Sequence, residues 1–274
     1  MPLADLTDAT AVLTGAAGGL GLALAQGLAA AGARVALVEV NPDVLATARA
    51  LPGARGYVVD VADAAAMNDL AAHVTTDLGP AQLLVANAGV AASGPFEQVP
   101  PEDVDWVWRT NVGGTWNACR AFLPQLRAHA PAHAVIVASA FAFLAPPGKS
   151  AYAASKAAVR ALAESLRAEL RGSGVGVTLL VPGPLDTGIV RASRAVDPAQ
   201  REAEARFVAR RAVPLERVVR RTRRAVRRDE ARALVGLDAH LLDLAARAWP
   251  AGAQWALARA ARRLPLGGPR SRAG

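Results

Sequence analysis

The chain is poor in cysteine, lysine and tyrosine, and has few histidines. Its one cysteine, Cys119, cannot form an internal disulfide, and with neither a CxxC pair nor a Cys/His cluster we expect no metal site. A membrane-spanning helix needs about 18 consecutive apolar residues, and no apolar run in the sequence approaches that length. The first residues are acidic rather than basic, unlike a signal or transit peptide, so we expect a cytoplasmic protein.

The net charge is +8, and the positive charge is concentrated in the last third of the chain. Up to Val190 there are 11 basic and 15 acidic residues, whereas 20 basic and 8 acidic residues follow. A basic segment can bind nucleic acid, anionic lipid or an acidic substrate, or can be the solvated face of ordinary helices. We expect no nucleic acid as a partner, because the basic stretch lacks interleaved aromatic residues for base stacking.

Short apolar runs, rich in β-branched residues, alternate with longer segments that have helical spacing of apolar residues. This alternation predicts an α/β fold, namely a Rossmann-type doubly wound parallel sheet of about seven strands with helices on both faces. The predicted strands are AVLTG, RVALVEV, GYVVDV, QLLVANAG, AVIVASA, VGVTLLVPG and ARALVG. The predicted helices are Leu20–Ala31, Pro42–Ala50, Ala64–Leu78, Glu102–His129 and Tyr152–Arg171.

A glycine-rich turn, TGAAGGLG in residues 14–21, joins the first predicted strand to the first helix. Such a turn lets the backbone approach a pyrophosphate at the N-terminus of a helix. Glu39 ends the second strand, where an acid would accept hydrogen bonds from ribose hydroxyls and repel a 2′-phosphate. We therefore expect NAD rather than NADP, although Arg34 or a residue of the basic tail could hold a phosphate. Alternatively, Glu39 is an ordinary surface acid.

Tyr152 and Lys156 form an unusual pair in a chain with two tyrosines, two lysines and 29 arginines. A spacing of four residues places both side chains on one face of a helix. A phenol is a poor base at neutral pH, and a neighbouring ammonium group lowers its pKa by favouring the phenolate. The pair therefore predicts a tyrosine that takes or gives a proton.

With Thr-Gly-x-x-x-Gly-x-Gly at residues 14–21 and Tyr-x-x-x-Lys at residues 152–156, the chain resembles the short-chain dehydrogenase/reductase family. The other sequence motifs of the family are also present, in the expected order along the chain. They are Asp60-Val61, Asn87-Ala88-Gly89, Asn111, Ser139, and Pro182-Gly183 with Thr187. The resemblance covers Thr7 to about Gly236. Ala86 and Ala138 depart from the family pattern, but neither replaces a residue with a chemical role.

The resemblance implies an oxidoreductase that acts on CH–OH groups. Tyr152 would exchange a proton with the substrate oxygen, and Ser139 would hydrogen-bond the same oxygen. Lys156 would lower the Tyr152 pKa and hold the nicotinamide ribose, while Asn111 would anchor a water that links Lys156 to solvent. The expected catalytic residues are Asn111, Ser139, Tyr152 and Lys156, and those expected to contact the substrate are Ser139, Phe141 and Tyr152. The expected cofactor-binding residues are Gly15, Gly18, Gly19, Leu20, Gly21, Glu39, Asp60, Val61, Asn87, Ala88, Gly89, Tyr152, Lys156, Pro182, Gly183 and Thr187.

The segments expected to border the substrate are apolar, with Lys149 and Arg191 as the fixed charges at their edges. They are Val90–Phe96, Phe141–Leu144 and Ile189–Val190. This composition favours an apolar secondary alcohol or ketone as substrate. Two other functions remain open, an NADPH-dependent ketoreductase of acyl or polyketide carbonyls and a non-catalytic cofactor-binding regulator.

We expect a catalytic domain in residues 1–237, with a mobile substrate-covering segment in residues 184–214, and a basic helical extension in residues 238–274. Residues Glu216–Arg228 predict a helix with a basic face, and Asp238–Trp249 and Ala253–Leu264 predict two further helices. The extension could contact an anionic membrane surface, but we favour its packing over the substrate pocket or against another subunit. The family resemblance also implies a homotetramer or homodimer, built on the helices near Glu102–His129 and Tyr152–Arg171.

Overall fold

Seven parallel strands form the central sheet of the computed structural model, which describes Leu3 and residues 5–261. The strands are β1 Thr10–Thr14, β2 Arg34–Glu39, β3 Ala54–Val58, β4 Ala81–Ala86, β5 Ala92–Ser93, β6 Ala132–Val137, β7 Val175–Pro182, β8 Arg194–Ala195 and β9 Arg232–Val235. The sheet order is β3-β2-β1-β4-β6-β7-β9, and a small second sheet pairs β5 with β8. The doubly wound fold predicted from the sequence is confirmed.

Helices cover both faces of the sheet. They are α1 Gly19–Ala29, α2 Val44–Arg49, α3 Ala64–Leu78, α4 Pro101–Trp108, α5 Gly114–Ala128, α6 Ser150–Glu169, α7 Pro198–Ala209, α8 Leu215–Arg228, α9 Leu237–Ala248 and α10 Pro250–Ala261. One apolar cluster packs α3, α5 and α6 against the sheet around Phe122 and Ile136. The other packs α1 and α8 around Leu24 and Leu37. Because both faces are buried, the central strands are continuous apolar runs, as in other parallel sheets.

The segment predicted as one helix over Glu102–His129 contains an irregular turn. Residues Arg109–Gly113 form a π-helical turn between α4 and α5. Such turns insert one residue into a helix and are frequent at functional sites. Here the inserted turn contains Asn111, whose side chain is fully buried. Apolar spacing alone could not predict this turn, because it changes the helical period over only five residues.

The segment 184–214, predicted to be mobile, contains β8 and α7. Strand β8 pairs with β5, and α7 begins after Asp197, whose carboxylate accepts hydrogen bonds from Ala199 N and Gln200 N at 2.9 and 3.2 Å. This N-cap explains where the helix starts. The mobility of the segment stays a prediction.

The C-terminal helices α9 and α10 pack beside the turn that follows β6. The Gln254 side chain donates to Ala145 O at 2.6 Å and accepts from Ala145 N at 3.3 Å. Leu242 and Leu257 line the same cavity as Tyr152, so α9 and α10 form part of its wall. That the extension packs over the substrate pocket or against another subunit stays a prediction. The predicted helix end at residues 262–264 lies outside the described residues. Within the described part of the chain, no helix has the length and apolar character needed to cross a membrane.

Candidate active site

The glycine-rich turn after β1 brings the backbone into very close contact with itself. A Cβ atom on Gly21 would overlap the carbonyl oxygen of Gly15, and Gly15 itself has a φ of +68°. Only glycine fits both positions without a shift of the backbone. The turn therefore delivers the first amides of α1 to the edge of the sheet, where a helix N-terminus favours an anion.

Asn87 ties the ends of β1 and β4 together beside this turn. Its side-chain Nδ2 donates to the carbonyl oxygens of Thr14 and Gly15 at 3.0 Å each. The Thr14 hydroxyl accepts from the backbone N–H groups of Asn87 and Ala88 at 3.0 and 3.1 Å. The two adjacent strand ends are thus held in one fixed arrangement at the floor of a cleft.

That cleft, of about 880 Å³, runs along the carboxyl ends of the strands. Its lining includes most of the residues predicted to bind the cofactor, namely Gly15, Gly18, Gly19, Leu20, Gly21, Glu39, Asp60, Val61, Asn87, Ala88, Gly89 and Thr187. The remaining four, Tyr152, Lys156, Pro182 and Gly183, line an adjoining cavity. The glycine turn, the helix N-terminus and the cleft volume fit a dinucleotide placed across the sheet edge.

Glu39 lies at the carboxyl end of β2, at the wall of the cleft. One of its carboxylate oxygens accepts a hydrogen bond from Val40 N at 2.9 Å. Arg34, considered as a phosphate ligand, begins the same strand and donates instead to Asp8 O at 2.8 and 3.2 Å. It therefore lies at the opposite end of β2 from Glu39. Among the described residues that line the cleft, Arg109 is the basic one.

The four predicted catalytic residues come from three different elements. Tyr152 and Lys156 lie on α6, Ser139 follows β6, and Asn111 lies in the π-helical turn. Lys156 Nζ donates to Val137 O at 3.1 Å, and Ser139 Oγ accepts from Phe141 N at 3.2 Å. The structure thus brings Ser139, Tyr152 and Lys156 to the wall of one cavity.

The Asn111 carboxamide is held entirely by protein groups. Its Oδ1 accepts from Val90 N at 2.8 Å, and its Nδ2 donates to Val90 O at 3.0 Å and to Ser155 Oγ at 2.9 Å. Both N–H donors are therefore engaged, and a water could use only the free lone pair of Oδ1. The water-anchoring role of Asn111 stays a prediction.

Ser155 is a site residue that the sequence analysis missed. Its hydroxyl accepts from Asn111 Nδ2 and donates to Tyr152 O at 2.8 Å, so it connects the π-helical turn to the helix that carries the tyrosine. The side chain is fully buried. A polar residue directly before Lys156, on a helix face that must be buried, was the available signal.

Burial decides the protonation of the tyrosine and the lysine in the protein alone. It raises the pKa of Tyr152, against a lowering by the Ser139 hydrogen bond, and the Glu204 carboxylate raises it further. Burial also lowers the pKa of Lys156 to about 8. In the protein without cofactor, desolvation of the phenolate outweighs the other effects on the Tyr152 pKa. The lowering of this pKa by Lys156, expected with the help of the positive charge of oxidised nicotinamide, stays a prediction.

The adjoining cavity, of about 410 Å³, is mainly apolar but contains a buried ion pair. Lys149 Nζ lies 2.6 Å from Glu204 Oε2, and both side chains are about 95% buried. Lys149 was expected only at the edge, so this expectation is corrected. The expectation that Phe96 borders the substrate also fails, since Phe96 is 81% exposed. Arg191, expected at the edge, pairs with Asp186 at the surface. Phe141, Ile189 and Val190 do line the cavity, as predicted.

Residues 9–198 match the family model described as short chain dehydrogenase. The chain belongs to the short-chain dehydrogenase/reductase family. Members of this family use NAD or NADP, and the fold of the chain is that of the family.

Three similar proteins extend the comparison. The 1-deoxy-11-beta-hydroxypentalenate dehydrogenase of Streptomyces exfoliatus is 41% identical over 194 residues, which cover 68% of this chain and 70% of that protein. The probable oxidoreductase EphD of Mycobacterium tuberculosis is 36% identical over 189 residues, covering 67% of this chain but only 32% of that protein. A family member from Burkholderia phymatum, solved in complex with NAD, has a TM-score of 0.80 and 31% identity, with 89% of this chain and 93% of that chain covered.

Proposed function

We propose that this protein is a dehydrogenase or reductase that uses NAD(H) and acts on an apolar secondary alcohol or the corresponding ketone. The observation that carries the proposal is the placement of Ser139, Tyr152 and Lys156 on one cavity wall, where an apolar cavity meets the glycine-lined cleft. The apolar lining excludes water from the reacting atoms and favours a substrate with little charge.

The residues divide the chemistry in a simple way. A bound nicotinamide would supply or accept the hydride. In the reducing direction, Tyr152 donates its proton to the carbonyl oxygen, and Ser139 hydrogen-bonds that oxygen while negative charge develops on it. The raised pKa of Tyr152 keeps the phenol protonated at neutral pH, which is the form required for this step.

In the oxidising direction, Tyr152 must instead accept the hydroxyl proton of the substrate. Lys156 lies four residues later on the same helix face and is mainly protonated below its pKa of about 8. Its positive charge favours the phenolate that accepts the proton. Lys156, with the lining residues of the cleft, would also hold the cofactor.

The preference for NAD is based on Glu39. A carboxylate at the end of β2 suits free ribose hydroxyls and repels a 2′-phosphate, and Arg34 is engaged at the far end of the strand. Arg109 is the residue of the cleft that could still favour NADPH. The NADPH-dependent ketoreductase therefore remains the alternative that the cofactor test decides.

An oligomer is part of the proposal. Trp108 and Trp116, on α4 and α5, are 41% and 54% exposed, and large exposed aromatic side chains are typical of protein interfaces. These helices lie in the first of the two segments, Glu102–His129 and Tyr152–Arg171, on which the homotetramer or homodimer was expected. Light scattering behind a size-exclusion column tests this, and a monomer at micromolar concentration would contradict it.

The first experiment is a fluorescence titration with NADH and NADPH. Trp106 lines the cleft and serves as an energy donor to a bound reduced nicotinamide. We expect NADH to bind at least about tenfold more tightly, a difference of about 1.4 kcal/mol, and Glu39→Gln to reduce this ratio. Tighter binding of NADPH would refute the Glu39 argument and direct attention to Arg109.

Turnover then separates an enzyme from a regulator. With a panel of apolar secondary alcohols and NAD, the wild-type protein should form NADH, while Tyr152→Phe should retain NADH binding and lose turnover. If the wild-type protein binds the cofactor but converts no alcohol or ketone, the non-catalytic regulator becomes the better explanation.

A further inference from the structure

The buried pair of Lys149 and Glu204 is the most unusual feature of the substrate cavity. The chain has only two lysines, and both are buried on or beside α6, three residues before and four residues after Tyr152. Lys149 is 3% and Glu204 is 4% exposed, and both line the cavity with Ser139 and Tyr152. Lys156 shares the helix face of Tyr152, and Lys149 is the residue directly before the helix.

The two partners come from different parts of the fold. Lys149 directly precedes α6, whereas Glu204 lies in the middle of α7, within the segment that borders the substrate. The Glu204 carboxylate lies close enough to Tyr152 for its charge to raise the tyrosine pKa. The pair is thus a charged but net-neutral patch in the wall of the cavity that Tyr152 also lines.

Stability alone does not account for this pair. Removing two charges from water costs about as much as their attraction returns, and well-packed apolar residues in their place are often no less stable. An ammonium group also has three N–H donors. Lys149 Nζ lies 2.6 Å from Glu204 Oε2, and this contact engages one of the three ammonium donors and one of the two carboxylate oxygens. A ligand group that both donates and accepts can therefore share the pair at the cavity wall.

We propose that Lys149 and Glu204 bind a second hydroxyl group of the substrate, so that the substrate class is an apolar ring alcohol or ketone that carries another hydroxyl. A hydroxyl group matches the pair because it can accept from Lys149 Nζ and donate to Glu204 at the same time. The pair has no net charge, so a carboxylate would be repelled by Glu204 and an ammonium by Lys149. The proposal rests on the proposed function.

The test compares matched ligands on matched variants. A cavity of about 410 Å³ accommodates a bicyclic ring system, so the probes are a decalin alcohol, a panel of decalin diols that differ in the position of the second hydroxyl, and a decalin alcohol bearing a carboxylate. The variant Lys149→Met/Glu204→Leu replaces the whole pair and leaves no unpaired buried charge. The control, Glu202→Leu/Arg206→Met, makes the same change to an exposed pair on α7.

We expect the wild-type protein and the control to favour at least one diol over the simple alcohol by about 10- to 100-fold in kcat/KM, mainly through KM. In the Lys149→Met/Glu204→Leu variant the ratio of kcat/KM for the diol to kcat/KM for the simple alcohol should fall to about 1, whatever its absolute activity toward the simple alcohol. Equal use of alcohol and diols by the wild type, a preference for the carboxylate probe, or a diol preference that survives in the variant would each overturn the proposal.

A binding measurement separates this proposal from the proposed function. Calorimetry with decalone and the matching hydroxydecalones reports the second-hydroxyl site without turnover. Suppose that no alcohol is converted, but that the wild type binds a hydroxydecalone more tightly than decalone and the double variant does not. The proposed function then fails and the site stands. If conversion occurs and the ketones bind equally, the site fails and the function stands.

Discussion

Replacing Lys156 by methionine should stabilise the protein while abolishing its activity. Lys156 is 3% exposed, and burial lowers its pKa from 10.5 to about 8. That difference corresponds to about 3 kcal/mol of penalty for holding the ammonium in the folded protein. Methionine has a similar length and no charge, so it removes the penalty without leaving a cavity. It also removes the hydrogen bond to Val137 O, worth about 1 kcal/mol, so we expect a net gain of about 2 kcal/mol at pH 7.

The pH dependence gives the sharper form of this prediction. Because the pKa of Lys156 is lower in the folded protein than in the unfolded chain, the unfolded chain binds more protons between pH 8 and 10.5. The stability of the wild type therefore rises in that window, and its deficit relative to Lys156→Met should shrink. Urea unfolding at pH 7, 8, 9 and 10, without cofactor, measures the difference, with the exposed Arg171→Met as control. A variant that is less stable at pH 7, or a difference independent of pH, would refute the reasoning.

Two further predictions concern His133, which is buried in the sheet, and Leu242, which lines the substrate cavity. Burial lowers the pKa of His133 from 6.5 to about 4. As the pH falls, the unfolded chain therefore binds a proton at this residue before the folded protein does. The free energy of unfolding should fall by up to about 3 kcal/mol between pH 6.5 and 4. Urea titrations across this pH range should show a smaller fall in the free energy of unfolding for His133→Gln than for the wild type, and the same fall for the control His73→Gln. If His133→Gln showed the same fall as the wild type, the assignment would be contradicted. Leu242→Ala, at the cavity wall, should raise KM for apolar alcohols about tenfold through lost apolar contact, as steady-state kinetics will show. The 58%-exposed Leu244→Ala should leave KM unchanged, and equal effects of the two would argue against a cover formed by α9.

The sheet and the cofactor cleft could be predicted because both depend on local patterns. Each parallel strand is buried on both faces and therefore appears as an apolar run, as in the fully buried β6. The turn between Gly15 and Gly21 is likewise encoded in consecutive residues, since a Cβ at either position would meet backbone atoms. The order of such motifs along the chain then determines which strand ends meet.

The substrate cavity could be predicted only in part, because its walls come from distant segments. Lys149 and Glu204 are 55 positions apart, and no periodicity relates a residue before α6 to one in α7. The role of Ser155 depends on a π-helical turn 44 residues earlier, where a single inserted residue directs Asn111 toward it. Packing of α9 over the cavity was predicted as one of several possibilities, since an apolar helix face does not specify its partner.

The choice of lysine over arginine at two positions connects these observations. Arginine keeps its charge in proteins and presents a broad planar group, and the chain uses it almost everywhere on its surface. A lysine can lose its proton when buried, and burial lowers the pKa of Lys156 to about 8. At Lys149 the compact ammonium fits against a single carboxylate 2.6 Å away and keeps donors for a ligand. Both lysines are buried and both flank, in sequence, the tyrosine to which the chemistry is assigned.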